Sequence, residues 1–206
     1  MSGEADIGRL ASRIGSCRIC VEKPAGKPLP HEPRPVVVLS HTARIAVCGQ
    51  APGTRVHASG RPFTDPSGDR LRDWMGIGEA EFYNAARLAI VPMGFCFPGL
   101  DARGADLPPR RECASAWHGQ IFDRMPQLEL LLVIGLHAQK WHLRQRCRAN
   151  LTETVRDWRD ILGDAGRPAM LPLPHPSWRN NAWIRKNPWF ETDLLPELRK
   201  RVRRLI

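Results

Sequence analysis

The sequence predicts an α/β protein: a single-domain, three-layer α/β/α sandwich around a central, mostly parallel four-stranded sheet. Short continuous apolar runs alternate with stretches of helical periodicity, the order that lays helices over a parallel sheet. A chain of 206 residues is most simply one domain, and it can bury a core without crosslinks. Its 42% hydrophobic and 25% charged residues are globular composition, which excludes a disordered or collagen-like chain.

The elements follow in order. Residues 24–35 are polar and proline-rich and read as an extended surface connector. Strands are expected at Arg44–Cys48, Arg87–Val91, Glu129–Ile134 and Ala169–Leu173, each an apolar run too short for a helix. Ser67–Met75 has helical spacing through Leu71, Trp74 and Met75. Arg110–Met125 and Leu136–Cys147 read as further helices. Thr152–Ile161 opens with a threonine cap and sets Val155, Trp158 and Ile161 on one face. Phe190–Ile206 reads as the last helix. No internal repeat divides residues 1–206.

Thirty-one Lys+Arg against 21 Asp+Glu leave a formal charge of +10. That excess favours a polyanion, nucleic acid before an anionic lipid surface. A mean hydropathy of −0.36 and the lack of a long apolar run argue against a membrane span. Glu4, Asp6, Arg9 and Arg13 interrupt the N-terminal residues, which therefore lack a signal-peptide pattern. The expected compartment is the cytoplasm, where thiols stay reduced. Of six cysteines, Cys48 and Cys147 read as packing residues. Cys17 and Cys20 form a CxxC, and Cys96 and Cys113 form a wide pair among Pro98, Pro108 and Pro109. From spacing alone these four suit zinc, an iron–sulfur cluster or unconnected core thiols.

In an open α/β sheet, ligands bind at the loops beyond the carboxyl ends of the strands. After the first strand comes Gly49-Gln50-Ala51-Pro52-Gly53, followed by Gly60-Arg61-Pro62-Phe63-Thr64-Asp65. Glycine and proline there permit a sharp turn and a close approach of backbone amides to a ligand. After the last strand comes His175-Pro176-Ser177-Trp178-Arg179-Asn180, with the histidine held between prolines.

Together these loops resemble the uracil-DNA glycosylase superfamily, whose motifs read G-x-x-P-G/Y and H-P-S/A. The closest likeness is to the iron–sulfur-containing family-four enzymes, which pair a GEAPG motif with G-R-P-F, an N-terminal CxxC and a wide cysteine pair. Here Cys17/Cys20, Gly49–Gly53, Gly60–Phe63, Cys96/Cys113 and His175–Ser177 stand in that order, over residues 17–190. The resemblance implies a monofunctional DNA glycosylase acting in base excision repair on uracil, or on another deaminated or damaged base. It also implies a structural [4Fe–4S] cluster, in preference to zinc, on Cys17, Cys20, Cys96 and Cys113. The partner is DNA, with no membrane, and the protein is expected to act as a monomer.

The resemblance assigns roles by residue. Phe63 would stack on the flipped base, worth on the order of 1–3 kcal/mol. His175 would donate a hydrogen bond to the departing base, worth roughly 2.7–4 kcal/mol in the transition state. Gly49, Gln50, Ala51, Pro52 and Gly53 would offer backbone to base and water, and Ser177 belongs to the second motif. Two positions depart from family four. Gln50 replaces a glutamate that activates water; an amide orients water but cannot take its proton. Asp65 is the candidate in its place, with Asp69 second, and Asp65 also suits a helix cap before Pro66. Pro92 replaces an asparagine that reads the uracil edge, which leaves an apolar lining and a relaxed base preference.

The resemblance also implies that Trp178 and Arg179, which follow the second motif, stand where a wedge would enter the gap left by a flipped base. Asn180, Arg185 and Lys186 are candidate phosphate contacts, with Arg55 and Arg61 near the first motif. The basic run Arg199–Arg204 reads as a helix end matched to its dipole. Gln50 and Pro92 also admit an alternative: a damaged- or abasic-DNA-binding module of the same fold with little turnover.

Overall fold

The computed structural model describes residues 3–164 and 166–206. Strands β1 (Ile45–Cys48), β2 (Leu88–Ile90), β3 (Leu130–Ile134) and β4 (Ala169–Leu173) form one sheet in the order β2-β1-β3-β4. Every pairing is parallel, so the sheet is wholly and not just mostly parallel. Val47 stands opposite Ile90 on one side and Leu132 on the other, and Leu132 opposite Leu171. All four carboxyl ends therefore reach one edge.

Around the sheet run α1 (Gly3–Gly15), α2 (Ile19–Glu22), α3 (Thr54–Ser59), α4 (Pro66–Met75), α5 (Glu79–Phe82) and α6 (Arg111–Asp123). They are followed by α7 (Gly135–Leu143), α8 (Leu151–Arg156), α9 (Trp158–Gly163), α10 (Asn181–Lys186) and α11 (Leu195–Leu205). Successive strand residues face opposite ways, and the core divides accordingly. Ile45, Val47, Leu88, Ile90, Leu130 and Leu132 pack with Leu71, Trp74, Phe82, Phe190 and Leu198. Ala46, Cys48, Ala89, Val91, Leu131 and Val133 pack with Leu10, Ile14, Trp117, Ile121 and Leu143. These two apolar layers, one on each face, make the three-layer sandwich.

The short helices α2, α3, α5 and α10 are not among the expected elements, the helix expected at Leu136–Cys147 ends at Leu143, and three further differences bear on packing. Helix α1 buries Ile7, Leu10 and Ile14 along one face, with Glu4 and Asp6 in its first turn and Arg13 in its last, as the helix dipole favours. The stretch expected as one helix at Thr152–Ile161 is two, α8 and α9, joined at Asp157. Its cap is Asn150, whose side chain accepts the Glu153 N–H at 2.9 Å; the Thr152 hydroxyl instead accepts the Trp183 indole N–H at 2.8 Å. The final helix begins with a wider π turn, Phe190–Leu194, that buries Phe190 and Leu194.

Residues 24–35 contain no helix or strand. Beyond them Val38 and Ile90 exchange both backbone hydrogen bonds at 2.9 Å, an antiparallel bridge on the outer side of β2, and the Val36 N–H donates to the Phe95 carbonyl at 2.7 Å. Among the described residues no helix is long and apolar enough to cross a membrane.

Candidate active site

Chain connections diverge between β1 and β3, and the loops around that point form the site. After β1, the Gly49 carbonyl accepts the Met93 N–H at 2.9 Å and the Gln50 carbonyl accepts the Gly94 N–H at 3.0 Å. The loops after β1 and β2 are thereby knit together. The N–H groups of Gln50 and Ala51 have no acceptor among the described residues, so both remain free to donate.

Phe63 is set by an unusual backbone. It holds φ +55°, a left-handed conformation costly for a bulky residue. The surroundings fix it: the Tyr83 hydroxyl donates to the Phe63 carbonyl at 3.0 Å, and Arg72 reaches the same oxygen at 3.4 Å. Gly68 leaves the space that this carbonyl needs, since a Cβ there would land on the Phe63 oxygen. The ring meets Phe82 edge-on at 5.7 Å and lies against Gly49. Asp65 caps α4, its carboxylate accepting the Gly68 N–H at 3.3 Å and the Ser67 hydroxyl at 2.6 Å.

Three side chains clamp the loop that carries His175. Buried Gln139 donates to the Leu173 carbonyl at 3.0 Å, Asn180 to the His175 carbonyl at 2.7 Å, and Arg70 to the Ser177 carbonyl at 3.0 Å. The Ser177 hydroxyl accepts the Arg179 N–H at 3.2 Å and so caps the short turn Trp178–Asn180.

Both loops face one small cavity of about 100 Å³. Gly49–Gly53, Phe63, Asp65 and His175 line it, with Val36, Ile90, Pro92 and Ile134 as its apolar wall. It opens into a wider groove of about 760 Å³ that adds Arg55, Ser177, Trp178, Arg179 and Asn180. Trp178 is 72% exposed there. Ser177 thus lies in the groove and outside the inner cavity, with its hydroxyl spent on the turn.

One residue that the motifs do not mark joins both spaces. Asp106 lines cavity and groove alike, and its Oδ2 lies 3.3 Å from where a Cβ on Gly53 would sit. Partial burial raises its carboxyl above the ordinary range, against the opposing charges of Arg179 and His175, and Asp65 adds to the rise. Burial likewise holds His175 below the usual histidine value, outweighing the pull of Asp65 and Asp106 in the other direction. The imidazole is therefore neutral at neutral pH and still carries one N–H. Neither ring nitrogen has a hydrogen-bond partner among the described residues.

Behind the cavity wall, buried His118 donates to the Pro92 carbonyl at 3.0 Å. It stacks with Phe95 and lies 5.5 Å from the His142 ring, centroid to centroid. Burial pushes His118 down to about 4 and His142 to about 3.

The four cysteines gather on the α1–α6 side, near enough that Cys113 feels Cys20, Cys96 and Cys17 electrostatically. Two of the sulfurs accept an N–H. The Trp117 indole donates to Cys17 at 3.4 Å and the Phe95 amide to Cys113 at 3.3 Å. Arg110 stands near Cys20 and the Arg34 backbone near Cys96, each favouring the thiolate against burial. Burial pushes Cys20 up to about 11, Cys96 to about 12 and Cys113 higher still. Among the described residues, no three His, Cys, Asp or Glu side chains converge on a single-ion site. Cys48 is fully buried in the core and Cys147 half-buried, as packing residues should be.

The positive charge is unevenly engaged. Arg61 pairs with Glu79 at 2.9 Å and lies 3.7 Å over the Tyr83 ring, so it is held in place beside α5. Arg199 donates to the Asp73 carbonyl at 3.1 Å and Arg201 pairs with Glu197 at 2.7 Å, which ties the basic C-terminal run to its own layer. Arg185 and Lys186 are exposed on α10, beside the groove-lining turn but not in its wall. In comparison with known proteins, the family model described as the uracil DNA glycosylase superfamily matches residues 36–199.

Proposed function

The chain belongs to the uracil DNA glycosylase superfamily, and from that premise we propose that it is a monofunctional DNA glycosylase. It flips uracil, or a related deaminated or damaged base, out of DNA and hydrolyses the N-glycosidic bond to leave an abasic site. One observation carries this reading. The two motif loops, distant in sequence, line a single small cavity that holds an aromatic ring, free backbone donors and a neutral imidazole.

Each part has a task. A base must leave the stack before its glycosidic bond is reachable. Exposed Trp178 suits the wedge that fills the vacated gap, while Arg179 and Asn180 meet the flanking backbone, with Arg185 and Lys186 further out. Phe63, fixed by its backbone, stacks on the extruded base. The Gln50 and Ala51 N–H groups and the His175 N–H then meet the base's oxygens, where negative charge grows as the bond breaks. Val36, Ile90, Pro92 and Ile134 offer no side-chain donor or acceptor to read the base edge, which supports a relaxed base preference.

The donor set of Cys17, Cys20, Cys96 and Cys113 fits a [4Fe–4S] cluster. A neutral thiol is a weak acceptor, yet the Trp117 indole and the Phe95 amide donate to Cys17 and Cys113; thiolates bound to iron would satisfy them. Such a cluster would crosslink the N-terminal segment, the loop after β2 and α6, with no part in bond cleavage. The protein purified without air is expected to be brown, with iron and acid-labile sulfide in equal amounts. Colourless protein carrying zinc would sink the cluster assignment.

The activity is tested with oligonucleotides bearing one uracil, hypoxanthine or thymine, single- and double-stranded, followed by alkali. Strand breaks at uracil, with breaks at one or more other bases, are expected. Tight binding of the lesion with no breaks would favour the damaged-DNA-binding reading, which the lack of a carboxylate at Gln50 supports.

A further inference from the structure

We propose that Asp106 is the general base that takes the proton from the hydrolytic water. The inference rests on the glycosylase reading and names a residue that lies outside both sequence motifs.

Hydrolysis at the sugar needs a proton acceptor close to the attacking water. Gln50 cannot supply one. Two carboxylates line the cavity, those of Asp65 and Asp106. Asp65 is engaged on one side: its Oδ1 accepts both the Ser67 hydroxyl and the Gly68 N–H and anchors the start of α4. Asp106 accepts no hydrogen bond from any described residue, and it sits where the inner cavity meets the groove. Water reaching a sugar bound across that junction would pass it.

Its position is also built. Leu100 and Asp106 form an antiparallel bridge. Around it, the Leu107 N–H donates to Gly99 at 2.9 Å and the Asp101 N–H to Ala105 at 2.8 Å. The Asp101 carboxylate closes the tip by accepting the Arg103 and Ala105 N–H groups at 2.8 and 2.9 Å. A small hairpin therefore presents Asp106 to the first-motif loop at Gly53. Partial burial makes its carboxylate more basic than an ordinary one, with His175, Asp65 and Arg179 as the charged groups that face it.

The step balances as follows. The water oxygen bonds to the sugar C1′ as the bond from C1′ to the base nitrogen breaks, and that electron pair leaves with the base. The water proton passes to Asp106, which later releases it to solvent. The departing base anion, held by the His175 N–H, takes its own proton from solvent. Asp106 must be ionised to act, so the rate rises with pH through its elevated pKa and then levels.

Asp106→Asn is expected to slow single-turnover excision by about 10²–10⁴-fold, the usual range for a positioned base. DNA affinity, read by fluorescence anisotropy, should stay near wild type, which shows that the variant folds. The acid limb of the rate profile should vanish in Asp106→Asn and persist in Asp65→Asn, whatever the latter's rate. Excision by Asp106→Asn within about tenfold of wild type, or loss of the limb only in Asp65→Asn, would overturn the assignment. Wild-type protein that excises nothing would overturn the glycosylase reading itself, a separate outcome visible before any variant is made.

Discussion

Replacing His175 by alanine should slow single-turnover excision by about 10²–10³-fold while DNA affinity changes little. The ring lies in a cavity wall, its loop is clamped by Gln139, Asn180 and Arg70, and its nitrogens are free among the described residues. A donor held in this way gains most where charge accumulates on the leaving base, and such charge is absent in the bound ground state. Rate is lost, and binding is kept. Burial holds the imidazole below the usual histidine range, so it is neutral at neutral pH, and it can donate in either protonation state. Raising the pH through about 6.5 should therefore not reduce the rate. Stability behaves differently. The unfolded chain binds a proton below about pH 6.5 that the folded chain refuses, so the site's contribution holds above that value and falls away below it. A single-turnover time course for His175→Ala matching wild type would remove this residue from the reaction.

Gly68→Ala should be the most damaging small substitution in the site. The added methyl would land on the Phe63 carbonyl oxygen, and that oxygen cannot simply move, because Tyr83 and Arg72 hold it. Overpacking typically costs about 1–3 kcal/mol, and an obstacle made of backbone places this case at the upper end. Phe63 would also be released from its left-handed backbone, so excision should fall further than the loss of folded protein explains. Urea unfolding and single-turnover rates on the same preparation separate the two effects. A wild-type midpoint with wild-type excision would show that the constraint is not real.

Legibility in the sequence followed the range of the interactions. Leu130–Ile134 reads as a strand because a parallel strand buried on both faces is an uninterrupted apolar run. Asp65 reads as a cap because Asp-Pro is a local signal. The loop of His175 is marked by its prolines. Helix α1 was readable in principle from Ile7, Leu10 and Ile14, one turn or two apart. Asp106 carried no such mark: it lies in a glycine- and proline-rich loop without periodicity, and only the fold brings it to Gly53. The N–H donors to Cys17 and Cys113 come from Trp117 and Phe95, positions that no spacing rule connects. Arg61 looked available to DNA because an ion pair with Glu79 and a seat on Tyr83 are tertiary facts.

The bridge between Val38 and Ile90 has a further consequence. An open sheet edge is a template on which another chain can add a strand and begin to aggregate. Val38 occupies the outward-facing backbone of Ile90, and the same short segment supplies Val36, which with Ile90 walls the cavity between the motif loops. One stretch of chain thus both seals the edge and shapes the cavity proposed to hold the base. Substitutions that widen this wall to admit a larger base risk unzipping the seal, so changes in base preference are better tolerated at Pro92 or Ile134, on loops and strands that protect no edge.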